Sequence, residues 1–303
     1  LFRLLLSPFG THQLDFNTYL AWSNRLVEVG FATFYQIWSD YLPGYHYILW
    51  ILGQLKHALP FLPTFTLYKL PAILADIFSA YLIFRLIPKR HLGLLAAAIY
   101  LFNPVTFFNS TLWGQTDSLT VLFGLLWFTA LRFHHPLLSG LALGIGALIK
   151  PSLGFIAPLT LILAPKQRFK TTIITALTSV IIFVLGFIPF APDQPLFPFI
   201  FSRLSVSLNQ YPYTSLHSFN LWQILDGYWQ SDLKLFLRLP KQLWGQILFL
   251  IAYLGLMIHY LRRPDRSLSA QTKLIALVFF ASFLFLTRIH ERHLLTVFPF
   301  LTV

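Results

Sequence analysis

The stretch TTIITALTSVIIFVLGFIPF, residues 171–190, is twenty residues long and holds no charged side chain. Because a transmembrane helix needs about 20 mainly apolar residues, this stretch predicts one. The whole chain of 303 residues has the same character, being 56% hydrophobic and only 11% charged. Soluble domains carry about 25% charged residues. The sequence therefore predicts an all-α polytopic membrane protein.

Further apolar stretches predict the other helices of the membrane bundle. They cover residues 66–87, 92–108, 118–133, 137–164, 243–261 and 274–286, with one more that begins at Leu294. We expect one transmembrane domain over residues 1–303, with a first extracytoplasmic loop at 7–62 that carries interfacial helices and a later loop at 191–241. Since Leu1 and Val303 both lie in apolar stretches, we expect the chain to be a fragment truncated at both ends.

The basic residues predict the orientation in the membrane. The chain has a net charge of +12, and its Lys and Arg residues are concentrated between apolar stretches, which is typical of cytoplasmic loops rather than of a nucleic-acid-binding surface. Four clusters stand out: Arg85/Lys89/Arg90, Arg132/His134/His135, Lys166/Arg168/Lys170 and Arg262/Arg263/Arg266. We predict that all four lie on the cytoplasmic side.

This orientation constrains two segments. Residues 45–62 then do not cross the membrane fully, and residues 137–164 form two short helices that turn back near Lys150-Pro151, where proline interrupts the helix. Acidic residues such as Asp15 and Asp117 then meet on the outer side. In the alternative orientation both segments are full spans, and Asp15 and Asp117 lie on opposite sides of the membrane.

Asp15 is the candidate general base. A carboxylate at the outer end of a helix can accept the proton of an acceptor hydroxyl, although an aspartate here also suits a helix N-cap. The segment 113–118 combines the indole of Trp113 with the amide of Gln115 and the carboxylate of Asp117. Such groups stack on a sugar and form hydrogen bonds with its hydroxyls. Asp117 has the same alternative as an N-cap.

Basic side chains on the predicted outer side are candidates for binding phosphate. Residues 288–293 hold five ionisable groups in six positions between two apolar stretches, which is costly at a lipid boundary. Arg288 and Arg292 share one face if the segment is helical, and both can bind phosphate through charge-assisted hydrogen bonds. Lys150, at the helix break, is a further candidate. The remaining predicted substrate contacts are Asn220, His290 and Glu291.

The sequence has neither cysteines nor a recognisable nucleotide-binding motif. The chain has no cysteine, which excludes disulfides and cysteine metal sites. It also lacks the glycine-rich fingerprint of a Rossmann nucleotide site. The sequence thus indicates no cofactor and no defined metal site, and it leaves the need for a divalent metal open.

Several motifs, taken in order along the chain, resemble those of a known family. They are Asp15-Phe16-Asn17, Tyr41-Leu42-Pro43-Gly44-Tyr45, Asn103-Pro104, Trp113-Gly114-Gln115-Thr116-Asp117-Ser118, Lys150-Pro151, Ser218-Phe219-Asn220-Leu221-Trp222 and His290-Glu291-Arg292-His293. In these motifs the chain resembles the GT-C superfamily of glycosyltransferases that use polyprenyl-phosphate sugars. The likeness is greatest to bacterial relatives of the GPI second-mannose mannosyltransferase. Many relatives have Tyr-Pro-Pro where this chain has Tyr41-Leu42-Pro43, and Tyr in place of His293.

The resemblance implies a GT-C-type helix bundle with Asp15 as catalytic base at the outer membrane face. It implies a multi-pass plasma-membrane enzyme, similar to a mannosyltransferase, that moves a hexose with inversion from a polyprenyl-phosphate donor to a lipid-linked or cell-envelope acceptor. Its partners would be these substrates and membrane lipid, without nucleic acid. A transporter or lipid flippase is the alternative, but it should show charges near the bilayer midplane and paired repeats. A third possibility, a non-catalytic membrane scaffold, would not explain the cluster of ionisable residues at 290–293.

Overall fold

The computed structural model describes residues 1–164 and 167–303. Lys166, predicted to belong to a cytoplasmic basic cluster, lies outside the described residues. The chain divides into two compact units, Leu1–Ser207 and Leu208–Val303, and each is described here by itself.

The first unit is built from helices. They are α1 (Phe2–Leu6), α2 (Gln13–Val29), α3 (Pro43–Ala58), α4 (Thr64–Leu86), α5 (Arg90–Phe102), α6 (Pro104–Phe107), α7 (Asp117–Arg132), α8 (Pro136–Ile149), α9 (Thr160–Leu163), α10 (Arg168–Leu185) and α11 (Leu196–Asn209), whose last two residues belong to the second unit. A π-helix covers Phe108–Trp113, and 3₁₀-helices cover Phe34–Gln36, Pro151–Leu159 and Ile188–Phe190.

The second unit is also mainly helical. It contains α12 (Leu221–Asp226), α13 (Lys241–Arg262), α14 (Leu268–Phe285) and α15 (Phe298–Leu301), with a 3₁₀-helix at Glu291–Thr296. A short antiparallel hairpin joins β1 (Leu235–Phe236) and β2 (Leu239–Pro240). The helix predicted from Leu294 is therefore only a 3₁₀-helix and one short α-helix in this structure.

Four helices in the described part of the chain are long and apolar enough to cross a membrane, namely Thr64–Leu86, Arg168–Phe190, Lys241–Arg262 and Leu268–Phe285. A fifth results when α5 is joined to the segment Pro104–Trp113, which is bent by 53° relative to it. Proline cannot continue a helix, and the side chain of Asn103 starts the next one by accepting a hydrogen bond from the N–H of Val105. These helices confirm the prediction of an all-α polytopic membrane protein.

The predicted turn near Lys150-Pro151 is confirmed. Helices α8 and α10 run in the same direction, because a Cβ added to Gly140 would meet Thr178, and one added to Gly186 would meet Leu148. The hydroxyl of Thr175 also donates to the carbonyl of Pro136 at the beginning of α8. The chain between them must therefore return along the bundle.

Three of the basic residues predicted to be cytoplasmic lie far from Asp117 in the first unit. Helix α7 begins at Asp117, whose carboxylate pairs with Lys150 after the end of α8. The basic groups at Arg132 and Arg168 lie at the other ends of α7 and α10. Arg85 likewise lies at the far end of α4. Within this unit, Arg85, Arg132 and Arg168 therefore lie at the end opposite the pair of Asp117 and Lys150.

Helix α3 covers most of the segment 45–62, which crosses the membrane in only one of the two predicted orientations. It has 16 residues, fewer than the roughly 20 that a full span needs. It packs closely on α2, since a Cβ at Gly53 would lie 2.6 Å from Oγ of Ser23. Its length agrees with the orientation in which this segment does not cross the membrane.

Candidate active site at Asp15

Helix α2 holds Asp15 in its first turn. The buried side chains Phe16, Tyr19, Trp22 and Leu26 recur at helical spacing and pack into an aromatic core. This fixes the helix, while the side chain of Asp15 stays 29% exposed. The N-cap of α2 is His12, so the N-cap alternative for Asp15 is wrong. A carboxylate in the first turn is favoured by the helix dipole.

One oxygen of Asp15 is held by three side chains. Its Oδ2 accepts hydrogen bonds from Nε1 of Trp113 at 2.8 Å and from Nε2 of Gln115 at 2.5 Å. Nδ1 of His12 lies 3.2 Å from the same oxygen. Within residues 1–164 and 167–303, no hydrogen bond ends on the other oxygen, Oδ1. The carboxylate is thus oriented through one oxygen and keeps the second for another partner.

The π-helix and the following loop place Trp113 and Gln115 beside Asp15. Gly114 has a φ of +84°, and its N–H and that of Gln115 both donate to the carbonyl of Asn109. A Cβ on Gly114 would lie 2.8 Å from Cγ of Lys69, so glycine is required by both conformation and space. π-Helices are uncommon and are frequent at functional sites.

Lys69 ties the segment before α2 to this loop. The side chain is 1% exposed, and its ammonium group donates to the carbonyls of Ser7 and Gly10. Its aliphatic part contacts Gly114. Lys69 thereby joins the chain entering the helix of Asp15 to the loop that carries Trp113.

A second layer orients the amide of Gln115. The hydroxyl of Tyr19 donates to Oε1 of Gln115 at 3.2 Å, and it lies 2.9 Å from the hydroxyl of Tyr41. Because Oε1 is used in this way, the NH₂ group of Gln115 points toward Asp15. Gln115 is only 1% exposed, so its contact with Asp15 is well shielded from water.

Asp117 and Lys150 form a buried ion pair next to this site. Asp117 is fully buried and also accepts a hydrogen bond from Nδ2 of Asn109 at 3.4 Å. The close approach of Gly44 to the backbone of Leu148 holds the end of α8 in place. The N-cap of α7 is Thr116, so that alternative for Asp117 is also wrong. Direct substrate contact by Asp117 or Lys150 remains a prediction.

A buried network of polar side chains contacts the π-helix through Ser110. Arg3 pairs with Asp76 of α4 at 2.6 Å and donates to Oγ of Ser110 at 2.6 Å. The hydroxyl of Tyr100 donates to the other oxygen of Asp76 at 3.0 Å. Since Ser110 belongs to the π-helix, this network connects four elements of the first unit.

In the second unit, Arg288 is bound by protein groups. Its Nε lies 2.7 Å from Oδ2 of Asp232, and its Nη1 donates to the carbonyl of Leu208 and to Oδ1 of Asn209, both at 2.7 Å. Thr287 donates to the same carboxylate at 2.9 Å. A phosphate at Arg288 would have to compete with these contacts.

The other predicted residues of the second unit also have protein contacts. Asn220 is fully buried, caps α12 and donates to the carbonyl of Leu286 at 3.2 Å. The ring of His290 lies 5.5 Å from the rings of Tyr211 and His293. Glu291 and Arg292 begin the adjoining 3₁₀-helix. In the described residues, no group of three His, Asp or Glu side chains could hold a metal ion.

Comparison with known proteins identifies a glycosyltransferase family. Residues 41–287 match the family model described as Glycosyltransferase family 87. No curated protein matches the chain. The matched range includes Trp113, Gln115, Asp117, Lys150 and Asn220, whereas Asp15 precedes it and Arg288 follows it.

Proposed function

Because the chain belongs to glycosyltransferase family 87, we propose that it moves a hexose from a polyprenyl-phosphate donor to a lipid-linked or cell-envelope acceptor. In this proposal it is a GT-C-type, mannosyltransferase-like enzyme of the plasma membrane, with its active site on the extracytoplasmic face. The family makes the chain a glycosyltransferase, so the transporter or flippase alternative is set aside.

The observation that carries the proposal is the geometry of Asp15. A general base must keep an accessible oxygen in a fixed direction. Trp113, Gln115 and His12 bind Oδ2, and the partly exposed carboxylate keeps Oδ1 for an acceptor hydroxyl. Hydrogen bonds from fixed donors hold such a group in place without reorganisation during the reaction.

The proposed reaction is a single displacement. Asp15 takes the proton of the acceptor hydroxyl as its oxygen attacks the anomeric carbon of the donor hexose. The bond between that carbon and the phosphate oxygen breaks, and its electron pair leaves with the polyprenyl phosphate. Attack from the face opposite the leaving group inverts the anomeric configuration.

The surrounding residues have distinct proposed roles. Half-buried Trp113 offers its ring face beside Asp15 for stacking on the sugar, and buried Gln115 orients the base. The ion pair of Asp117 and Lys150 supports the loop that follows Gln115. As phosphate or substrate contacts we retain the predicted residues Lys150, Arg288, His290, Glu291 and Arg292. Asn220 is fully buried and uses its amide for contacts within the protein, so we propose a structural role for it.

The test replaces Asp15 by asparagine. Asp15→Asn keeps the shape and can still accept from Trp113, but it cannot take a proton, so transfer from polyprenyl-phosphate mannose or glucose should fall by at least about 100-fold. Asp193→Asn, an identical change at an exposed position, should leave the rate unchanged. Full activity of the Asp15→Asn variant would show that Asp15 is not the general base. Failure of the unaltered protein with both donors would instead reject the donor class.

A further inference from the structure

A surface cavity of about 290 Å³ in the first unit lies outside the Asp15 site. Its walls include Tyr35, Gln36, Phe190, Gln194, Ser202 and Arg203. The 3₁₀-helix at Phe34–Gln36, the end of the span Arg168–Phe190 and helix α11 contribute these residues, except for Gln194, which lies in the turn before α11. None of them is among the predicted site residues.

Arg203 is the charged group of this cavity. Its guanidinium carbon lies 5.1 Å from the ring centre of Tyr35 and 5.9 Å from that of Phe199. These rings hold the planar group in a fixed orientation. In the described part of the chain Arg203 forms no ion pair. Its Nε is buried without a hydrogen-bond partner, and its Nη2 has one long contact of 3.4 Å to Ser202.

A buried guanidinium donor without a partner is costly, because its lost contact with water is not replaced. An anion that entered the cavity would supply the missing acceptor. The amides of Gln36 and Gln194 and the hydroxyl of Ser202 line the same cavity and add further donors. A phosphate group, with several acceptor oxygens, matches this set of donors and the forked shape of arginine.

The cavity lies at the end of a candidate transmembrane helix. Phe190, the last residue of the span Arg168–Phe190, forms part of its wall. Lipid headgroups lie at this level relative to a spanning helix. Phe197 and Phe201 of α11, four residues apart, are 62% and 69% exposed and offer an apolar surface next to the polar cavity.

We propose that this cavity binds a terminal phosphate group (a monoester) carried by an amphiphile, with Arg203 as the anion contact and the exposed phenylalanines of α11 against the apolar chain. The proposal rests on these contacts and on the fact that the chain has candidate membrane-spanning helices. It does not depend on Asp15 or on the transfer reaction.

The test measures binding to the purified full chain in detergent by titration calorimetry. The probes are a short-chain phosphatidic acid, the phosphatidylcholine with the same chains, and inorganic phosphate. We expect phosphatidic acid to bind more tightly than inorganic phosphate and phosphatidylcholine not to compete. Equal affinity for inorganic phosphate would make free phosphate the ligand and overturn the lipid part of the proposal.

Variants of Arg203 test whether phosphatidic acid binds in this cavity. Arg203→Gln should weaken binding of phosphatidic acid at least tenfold, and Arg203→Lys should give an intermediate loss, because lysine keeps the charge but not the fork. Arg90→Gln makes the same charge change at an exposed residue and should leave binding unchanged. Unaltered binding by a folded Arg203→Gln variant, or equal loss in Arg90→Gln, overturns the assignment. Thermal unfolding of each variant verifies that it is folded.

Discussion

Trp113 donates its indole N–H to Asp15 at 2.8 Å, although 98 residues separate them in the chain. The contact depends on a π-helix, on the left-handed glycine that directly follows it and on a buried lysine of α4. The orientation of the proposed base is therefore a property of the fold rather than of the motif around Asp15.

Gln115 should matter for activity more than for folding. Gln115→Glu replaces the NH₂ donor to Asp15 by a carboxylate oxygen and sets two acidic groups against each other. Loss of one fixed catalytic contact typically costs about 10²-fold to 10³-fold in rate. We expect a decrease in hexose transfer of that size with little change in the hexose-donor KM, measured in steady-state assays.

The control for this change is Gln54→Glu, which adds the same charge at an exposed position of α3. It should transfer hexose at the unaltered rate. Equal rates for the two variants would mean that the contact between Gln115 and Asp15 does not support catalysis.

The ion pair of Lys150 and Asp117 should show strong coupling. Asp117 is fully buried and Lys150 is mostly so, with side-chain exposures of 0% and 19%. Removing one partner of a buried pair leaves an uncompensated charge and costs about 3–5 kcal/mol. Lys150→Met should thus lower the unfolding temperature in detergent, and Lys150→Met with Asp117→Asn should recover much of the loss.

A double-mutant cycle on the unfolding free energies gives the coupling between these two residues. Strictly additive effects of Lys150→Met and Asp117→Asn would contradict a structural ion pair. Hexose transfer measured on the recovered double variant then separates support of the loop from direct contact with substrate, since only a direct contact would leave the folded variant inactive.

Gly114→Ala tests the conformation of the loop. An alanine at φ +84° is strained, and its Cβ would lie 2.8 Å from Lys69. Such strain costs on the order of 1–3 kcal/mol, so we expect lower stability and weaker hexose transfer. Gly154→Ala, where a Cβ would meet nothing within 4 Å, should change neither property. A Gly114→Ala variant as stable and active as the unaltered protein would contradict this account of the loop.

Charge patterning predicted more of the fold than motifs did. The positions of the basic clusters, together with Lys150-Pro151, predicted that residues 137–164 fold back, and the direction of α8 and α10 confirms it. This works because hydrophobic length and loop charge are local properties of the sequence. The hydrogen-bond partners are set by long-range packing, and no local pattern specifies them.

Two sets of buried contacts show that the sequence does not predict hydrogen-bond and ion-pair partners. Asp232, in a polar loop, gave no sign that it would bind Arg288, 56 residues away. Lys69 and Asp76 did carry a signal, because ionisable residues inside an apolar span usually have a buried partner or a functional role. The sequence does not state which partner, and the contacts of Arg3 with Asp76 and of Lys69 with Ser7 and Gly10 appear only in the folded chain.

His46 should make stability depend on pH. The side chain is fully buried between α2 and the 3₁₀-helix at Phe34–Gln36, where it contacts Ser39 and the carbonyl of Leu42. Burial lowers the pKa of His46 to about 3, and the hydrogen bond to Leu42 only partly opposes this. In the unfolded chain its pKa is about 6.5.

The unfolded chain therefore binds a proton at His46 between about pH 6.5 and pH 3, whereas the folded chain does not. Stability from this residue is complete above about pH 6.5 and decreases as the pH falls, by up to about 1.4 kcal/mol per pH unit. Thermal unfolding in detergent between pH 8 and pH 5 should show this decrease. His46→Gln should flatten the pH dependence, while His57→Gln, at an exposed position of α3, should retain it. The same slope in all three proteins would mean that His46 is not the group responsible.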